Sequence, residues 1–186
     1  MDATLSTALL ADGSTRSHGD SVRMRHVFAQ NYARVWRFLR RMGFSTDRAD
    51  DAAQSVFLVA LEALPRIENG KERAFLFSTA VRVAYALRRK QSREVLSEAL
   101  DAGQAPLPSP DHLTDQKRAR EMLDAVVGRL GADVRAVFLL AEFEQFKVPE
   151  IADVLGIPLG TAASRLRRGR EQFHAEVERV FGGDHG

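Results

Sequence analysis

Cysteine is absent from this 186-residue chain, which excludes a disulfide scaffold and a cysteine-ligated zinc site. Histidine is sparse: His18, His26, His112, His174 and His185 are scattered, and none pairs with another at ligand spacing. No metal and no cofactor are therefore expected. No apolar run approaches the length needed to cross a bilayer, so no membrane insertion is expected. The N-terminus carries Asp2 and no basic start before its few apolar residues, which argues against a secretory signal. No strand-like alternation of useful length appears, and no nucleophile, base and orienting group form a set. These absences predict an all-α, non-enzymatic, cytoplasmic protein.

What is present is an apolar content of 45%, enough for a core, and an uneven charge. The net charge is only +2, yet residues 23–93 hold 15 Lys/Arg against 6 Asp/Glu. Residues 94–114 hold four acids (Glu94, Glu98, Asp101, Asp111) and no Lys/Arg, and residues 115–182 balance 11 against 11. This asymmetry predicts polyanion-binding surfaces on both halves, joined by an acidic spacer.

Four segments follow. Residues 1–21, rich in Ser, Thr, Ala, Asp and Gly, are expected to form a mobile tail. Residues 22–92 form a first helical domain. In it, Phe28, Tyr32, Val35, Trp36 and Leu39 predict one helix with an apolar face and Trp36 in the core. Gly43 ends that helix, and Ser45 or Thr46 caps the next. Ala53, Val56, Phe57, Ala60, Leu61 and Leu64 form a second stripe, stopped by Pro65. After the Asn69-Gly70 loop, a third helix is predicted from about Glu72 to Arg89, with Phe77, Ala80, Val81, Ala84 and Leu87 buried. Residues 93–114, with Pro106, Pro108 and Pro110, are a linker with one helical turn near Val95 to Leu100. Residues 115–182 form a second helical domain: Met122, Leu123, Val126 and Leu130 face inward, Gly131 breaks the run, and a further helix covers Val134 to Phe143.

The C-terminal stretch Pro149 to Arg170 carries the most information. Ile151, Ala152 and Leu155 make the apolar side of a short helix, and Gly156 stands where a left-handed glycine would end it. Ile157 and Leu159 are expected to turn back to the core. A second helix then carries Arg165, Arg167, Arg168 and Arg170, with no acid between Pro158 and Arg170. A small Ala152 beneath the crossing, a glycine turn and a basic second helix are what a helix-turn-helix needs to enter a major groove. Thr161, Ser164, Arg165 and Arg168 share one helical face, suited to reading bases. Arg167 and Arg170 point elsewhere and suit phosphates.

Residues 22–180 resemble the small, two-domain, extracytoplasmic-function group of bacterial sigma factors. The resemblance rests on Val137 to Leu140, Glu150-Ile151-Ala152, Gly156-Ile157, Gly160-Thr161 and Ser164-Arg165-Leu166 with Arg168 and Arg170. In the first domain it rests on Tyr32 to Leu39, Asp50-Asp51, Gln54, Val56-Phe57-Leu58 and the Ala74-to-Arg89 helix. The chain departs from the family pattern at Ser55, Phe75, Arg82 and Ala86, and at Ala162 and Ala163, where looser helix packing and one fewer phosphate contact are expected.

The resemblance implies a factor that binds core RNA polymerase and directs it to promoter DNA, with an anti-sigma factor as a further partner. Asp50, Asp51 and Gln54 would dock on the polymerase; by spacing alone they are an ordinary exposed helix face. The third helix and its preceding loop would capture unstacked −10 bases through Lys71, Arg73, Phe75, Arg82, Arg88 and Arg89. Aromatics beside cations suit single strands, and Phe75 is the stacking candidate because Phe77 belongs to the inward stripe. Thr161, Ser164, Arg165, Arg167, Arg168 and Arg170 would meet the −35 element. A sigma-like decoy that only binds an anti-sigma factor is the alternative. A homodimeric repressor ranks third, because no helix shows a heptad seam.

Overall fold

The computed structural model describes residues 3–97 and 115–181, with side chains at 20–91 and 121–180. All regular elements among them are helical: α1 (Ala3–Arg41), α2 (Thr46–Ala63), α3 (Glu72–Ser97), α4 (Asp115–Arg129), α5 (Ala132–Glu142), α6 (Val148–Leu155) and α7 (Leu159–Phe181). The punctuation follows from local chemistry. Gly43 adopts φ +101 after α1. The Ser45 hydroxyl accepts from the Arg48 N–H to cap α2, and Pro65 sits in the short 3-10 turn that ends it. Gly70 turns at φ +85 ahead of α3.

Two boundaries differ from expectation. The backbone of residues 3–21, expected as a tail, continues α1; extending an existing helix needs no nucleation, and no proline precedes Pro65. α3 runs on to Ser97 rather than ending near Arg89, absorbing the start of the turn expected at Val95. Most of the expected linker, residues 98–114, lies outside the described residues.

The buried row of α1 is Val27, Asn31, Val35, Phe38 and Leu39, continued by Met42 just past its end. Phe28, Tyr32 and Trp36 each follow a residue of that row by one position, a turn of about 100° at 3.6 residues per turn, and so form the adjacent row. Trp36 is therefore half-buried rather than core: its Nε1–H donates to Asp50 Oδ1 at 2.7 Å, and the Arg40 guanidinium lies over its ring. Phe28 and Leu61 are 44% and 50% exposed, so the expected apolar stripes also contribute to the surface.

α1, α2 and α3 form the first helical group, and α4 to α7 the second. The two groups also pack against each other, chiefly α3 on α6 and α1 on α4, and their buried residues merge into one cluster. Phe77 contacts Phe38 in its own group and Phe146 in the other, with edge-to-face rings at 5.4 and 5.5 Å. Arg135, only 7% exposed, donates from α5 to the carbonyls of Met42 (3.0 Å) and Leu130, and to that of Gly128. Burial, with Arg88 nearby, lowers its pKa to about 10, so it stays charged at neutral pH.

Candidate nucleic-acid and polymerase interface

α6 begins with Pro149 in its first turn, and the Glu150 carboxylate reaches back to accept from the Lys147 N–H at 2.7 Å. Gly156 ends it at φ 63, ψ 38, the left-handed conformation expected for the turn. The Ile157 N–H returns to the Ala152 carbonyl at 3.0 Å. Ile151, Ala152, Ala162 and Leu166 are buried where α6 meets α7. Ala162 is completely buried, so the small side chain permits a close crossing rather than a loose one. Leu159 is a correction: it is 55% exposed at the start of α7 instead of turning to the core.

The four residues expected to share one face of α7 do so. Thr161, Ser164 and Arg165 are partly exposed, and Arg168 is exposed with no ion-pair partner among the described residues. The Ser164 hydroxyl donates to the Thr161 carbonyl. Arg165 pairs with Asp133 of α5 at 3.0 Å. Arg167 pairs with Glu171 and Arg170 with Glu142, each at 2.8 Å, on other sides of the helix. All three are exposed or half-exposed pairs, weak enough to be exchanged for phosphate.

On α3 and the loop before it, the six expected single-strand contacts separate into two groups. Lys71, Arg82 and Arg89 are exposed, and Phe75 is half-buried against the core. Arg73 instead faces the second helical group, and Arg88 turns back to the end of α1 within its own group. The Arg73 guanidinium lies 4.2 Å over the Phe146 ring, and Arg88 donates to the Met42 carbonyl. Phe77 is fully buried, as expected.

Asp50, Asp51 and Gln54 are exposed and line a groove of about 710 Å³ between α1 and α2. Its floor is apolar: Met24, Phe28, Phe57, Leu58 and Leu61. Phe28, Tyr32 and Phe57 cluster with ring centroids 4.8 to 5.7 Å apart. Sequence reading found the polar rim and missed the apolar floor. The signal was available, since Gln54, Leu58 and Leu61 follow i, i+4, i+7 spacing. The Ser55 hydroxyl is turned back to the Asp51 carbonyl.

A model of sigma-70 region 2 matches residues 27–94, and a model of sigma-70 region 4 matches residues 120–173. The extracytoplasmic-function sigma factor SigC of Mycobacterium tuberculosis is 32% identical over 152 residues, spanning 77% of each chain. SigE of Mycolicibacterium smegmatis is 28% identical over 147 residues, spanning 77% of this chain and 57% of that longer relative. This chain is an extracytoplasmic-function sigma factor of the sigma-70 family. Region 2 corresponds to α1–α3 and region 4 to α4–α7. The sigma factor RpoE of Bartonella quintana, solved with the anti-sigma factor NepR, shares the fold at a TM-score of 0.69 and 22% identity, covering 83% of this chain and 96% of that one. CnrH, solved with the cytosolic domain of CnrY, matches at a TM-score of 0.65.

No described helix of this sigma factor is long and apolar enough to cross a membrane.

Proposed function

We propose that this sigma factor acts in the cytoplasm as a non-enzymatic initiation factor, placing core RNA polymerase at promoters through three separate surfaces. The α1–α2 groove receives an apolar polymerase helix. Its exposed Phe28, Leu58 and Leu61 supply burial, while Asp50, Asp51 and Gln54 fix orientation at the rim. The exposed cations of α3 (Lys71, Arg82, Arg89) draw in the −10 strand, and Phe75 offers a ring edge. The face of α7 formed by Thr161, Ser164, Arg165 and Arg168 enters the −35 major groove, with Arg167 and Arg170 on the flanking phosphates.

The observation that carries this reading is the α6–α7 crossing. A left-handed Gly156 and buried Ala152 and Ala162 hold α7 rigidly, while its arginines stand in solvent or in exchangeable surface pairs. The test is run-off transcription of fragmented host genomic DNA by core polymerase, with and without the protein. New discrete start sites with a shared upstream sequence are expected. No starts and no binding to core polymerase would overturn the reading in favour of a decoy for an anti-sigma factor.

A further inference from the structure

The loop between α2 and α3 is poor in anchors of its own. α2 gives way to the 3-10 turn at Pro65, which has no N–H, and the carbonyls at that end are left to other donors. The Leu64 carbonyl takes the Ile67 N–H at 3.2 Å, and Ile67 then runs extended. The Glu68 carbonyl takes the Lys71 N–H at 3.0 Å, with Gly70 at φ +85 between them. These two bonds each reach only three residues. Leu64 is buried, but 65, 66 and 68–71 are exposed and Ile67 is half-buried. Such a loop has few buried contacts to hold it in one shape.

Arg23 of α1 supplies the hold that the loop lacks. Its guanidinium spreads over three acceptors. Nη1 donates to the Leu64 carbonyl at 3.2 Å, where the loop begins. Nη2 donates to the Ile67 carbonyl at 2.7 Å, in its middle, and to Glu72 Oε1 at 2.6 Å, where α3 begins. Nε donates to the same Oε1 at 2.8 Å. Both side chains of this pair are largely buried. The Glu72 carboxylate also accepts from the backbone N–H groups of Gly70 and of its own residue. Burial alone would raise its pKa, but those bonds and Arg23 outweigh burial and hold it below the usual value. It is therefore a charged acceptor at neutral pH. Arginine suits the position because a planar fork of five N–H donors can serve acceptors in several directions at once.

We infer that Arg23 is a positioning residue for the −10 strand: by joining Leu64, Ile67 and Glu72 it fixes the loop before α3 in the shape that receives unstacked bases. The inference rests on the promoter reading above. Arg23 acts without touching DNA, since its donors are spent on the loop. What the loop presents is Lys71, and Phe75 follows one turn later with its N–H on the Lys71 carbonyl at 3.0 Å. Loop and helix thus offer cation and ring from one fixed geometry. A loose loop would have to be ordered by the strand itself, and affinity would fall with the fraction of time spent in the competent shape. The same turn of α1 serves the polymerase groove. Ser21, Met24 and Arg25 line that groove, while Arg23 between them turns to the loop.

The test uses the full chain bound to core polymerase. The probes are each single strand of the −10 region of a start site mapped by run-off transcription, the same strands with the −10 bases replaced, and the −35 duplex of that promoter. Arg23→Met keeps the length of the side chain and removes its donors. It is expected to weaken binding of the matched −10 strand by about 3- to 10-fold, as for a loop in the competent shape about 10–30% of the time. It should also narrow the gap between matched and replaced strands. Affinity for the −35 duplex and for core polymerase should be unchanged. Hydrogen exchange at the amides of Ile67, Gly70 and Lys71 should quicken, while that of α7 does not. Arg23→Lys, which keeps the charge beside Glu72 but cannot serve all three acceptors, should fall between. If Arg23→Met loses a cooperative melt, Arg23→Lys carries the test. Faster exchange in the loop with unchanged affinity and discrimination would overturn the inference, as would equal losses on the −35 duplex. A wild type that binds neither single strand would instead remove the −10 reading, and the role of Arg23 with it, whatever the exchange rates show.

Discussion

Arg165 and Arg168 occupy the same proposed recognition face, yet their surroundings predict that removing them costs different amounts. Arg168 is in solvent and gives up nothing to reach a base edge. A bidentate arginine–guanine contact is worth about 1–3 kcal/mol of discrimination, so Arg168→Ala should weaken binding to a −35 duplex by roughly 5- to 150-fold. Arg165 must first leave Asp133, whose side chain is 59% exposed. Such a pair is worth about 0–1 kcal/mol, so the loss on Arg165→Ala should be smaller by up to about fivefold. Arg167, on another side of α7 and paired with Glu171, serves as the comparison. Its replacement by alanine should weaken all sequences alike and lower the salt slope by about 0.9. Fluorescence anisotropy on matched and mismatched −35 duplexes at several salt concentrations measures all three, with circular dichroism melts as a check on folding. If Arg168→Ala keeps the wild-type ratio of matched to mismatched affinity, the assignment of the reading face is wrong.

Three further outcomes follow from the same coordinates. Gly156→Ala should destabilise region 4 by about 1–2 kcal/mol, because φ +63 strains any side chain while nothing lies within 4 Å of the added carbon, and Gly156→Asn should cost less in a denaturant melt. Arg135→Met should lower the melting temperature through the carbonyls of Met42, Leu130 and Gly128 that it leaves without a donor, at about 1–3 kcal/mol for each one that water cannot reach. Glu144 gives the fold a pH dependence. Burial, opposed by Arg34, Arg73 and Arg37, raises its pKa above 4.5, so the folded chain holds the proton more tightly than the unfolded one. Its contribution to stability is full below pH 4.5 and is lost as pH rises through the raised value, so this component of the melting temperature should increase on acidification from neutrality, and Glu144→Gln should remove it.

The local grammar of the chain was readable because it depends on neighbours in sequence. Gly43, Ser45, Pro65, Gly70 and Gly156 act within a turn of their own position, and each ended or began a helix as its chemistry dictates. The α7 face was readable for the same reason: four residues at i, i+3, i+4 and i+7 need only a helix to come together. Trp36 shows where periodicity alone falls short. An aromatic one row from the buried stripe looks the same in sequence as one within it, and only the position of Asp50 on α2 determines that the indole bonds there. The packing of region 4 on region 2 left a fainter trace. Glu144 and Phe146 follow the apolar run of α5 and read as an ordinary exit from a helix. A carboxylate between two phenylalanines, within a segment that must turn, was the available sign that this exit is buried.

The composition of the contact between regions 2 and 4 bears on how firmly it holds. Its favourable contacts include the Phe77–Phe146 ring pair, at about 0.5–1.5 kcal/mol beyond burial, two arginine–ring contacts at about 0.5–2 kcal/mol each, the Arg34–Glu144 and Arg41–Asp124 pairs, and the bond from Arg135 to the Met42 carbonyl. Against them stand the buried nitrogens of Arg73, which find no acceptor, and a Glu144 whose burial raises its pKa in spite of Arg34. An unsatisfied buried donor costs about 1–3 kcal/mol, the same order as the contacts that put it there. A purely apolar joint between two such groups would close them as firmly as a domain core. Polar groups at its centre make this contact weaker than an apolar joint of the same extent.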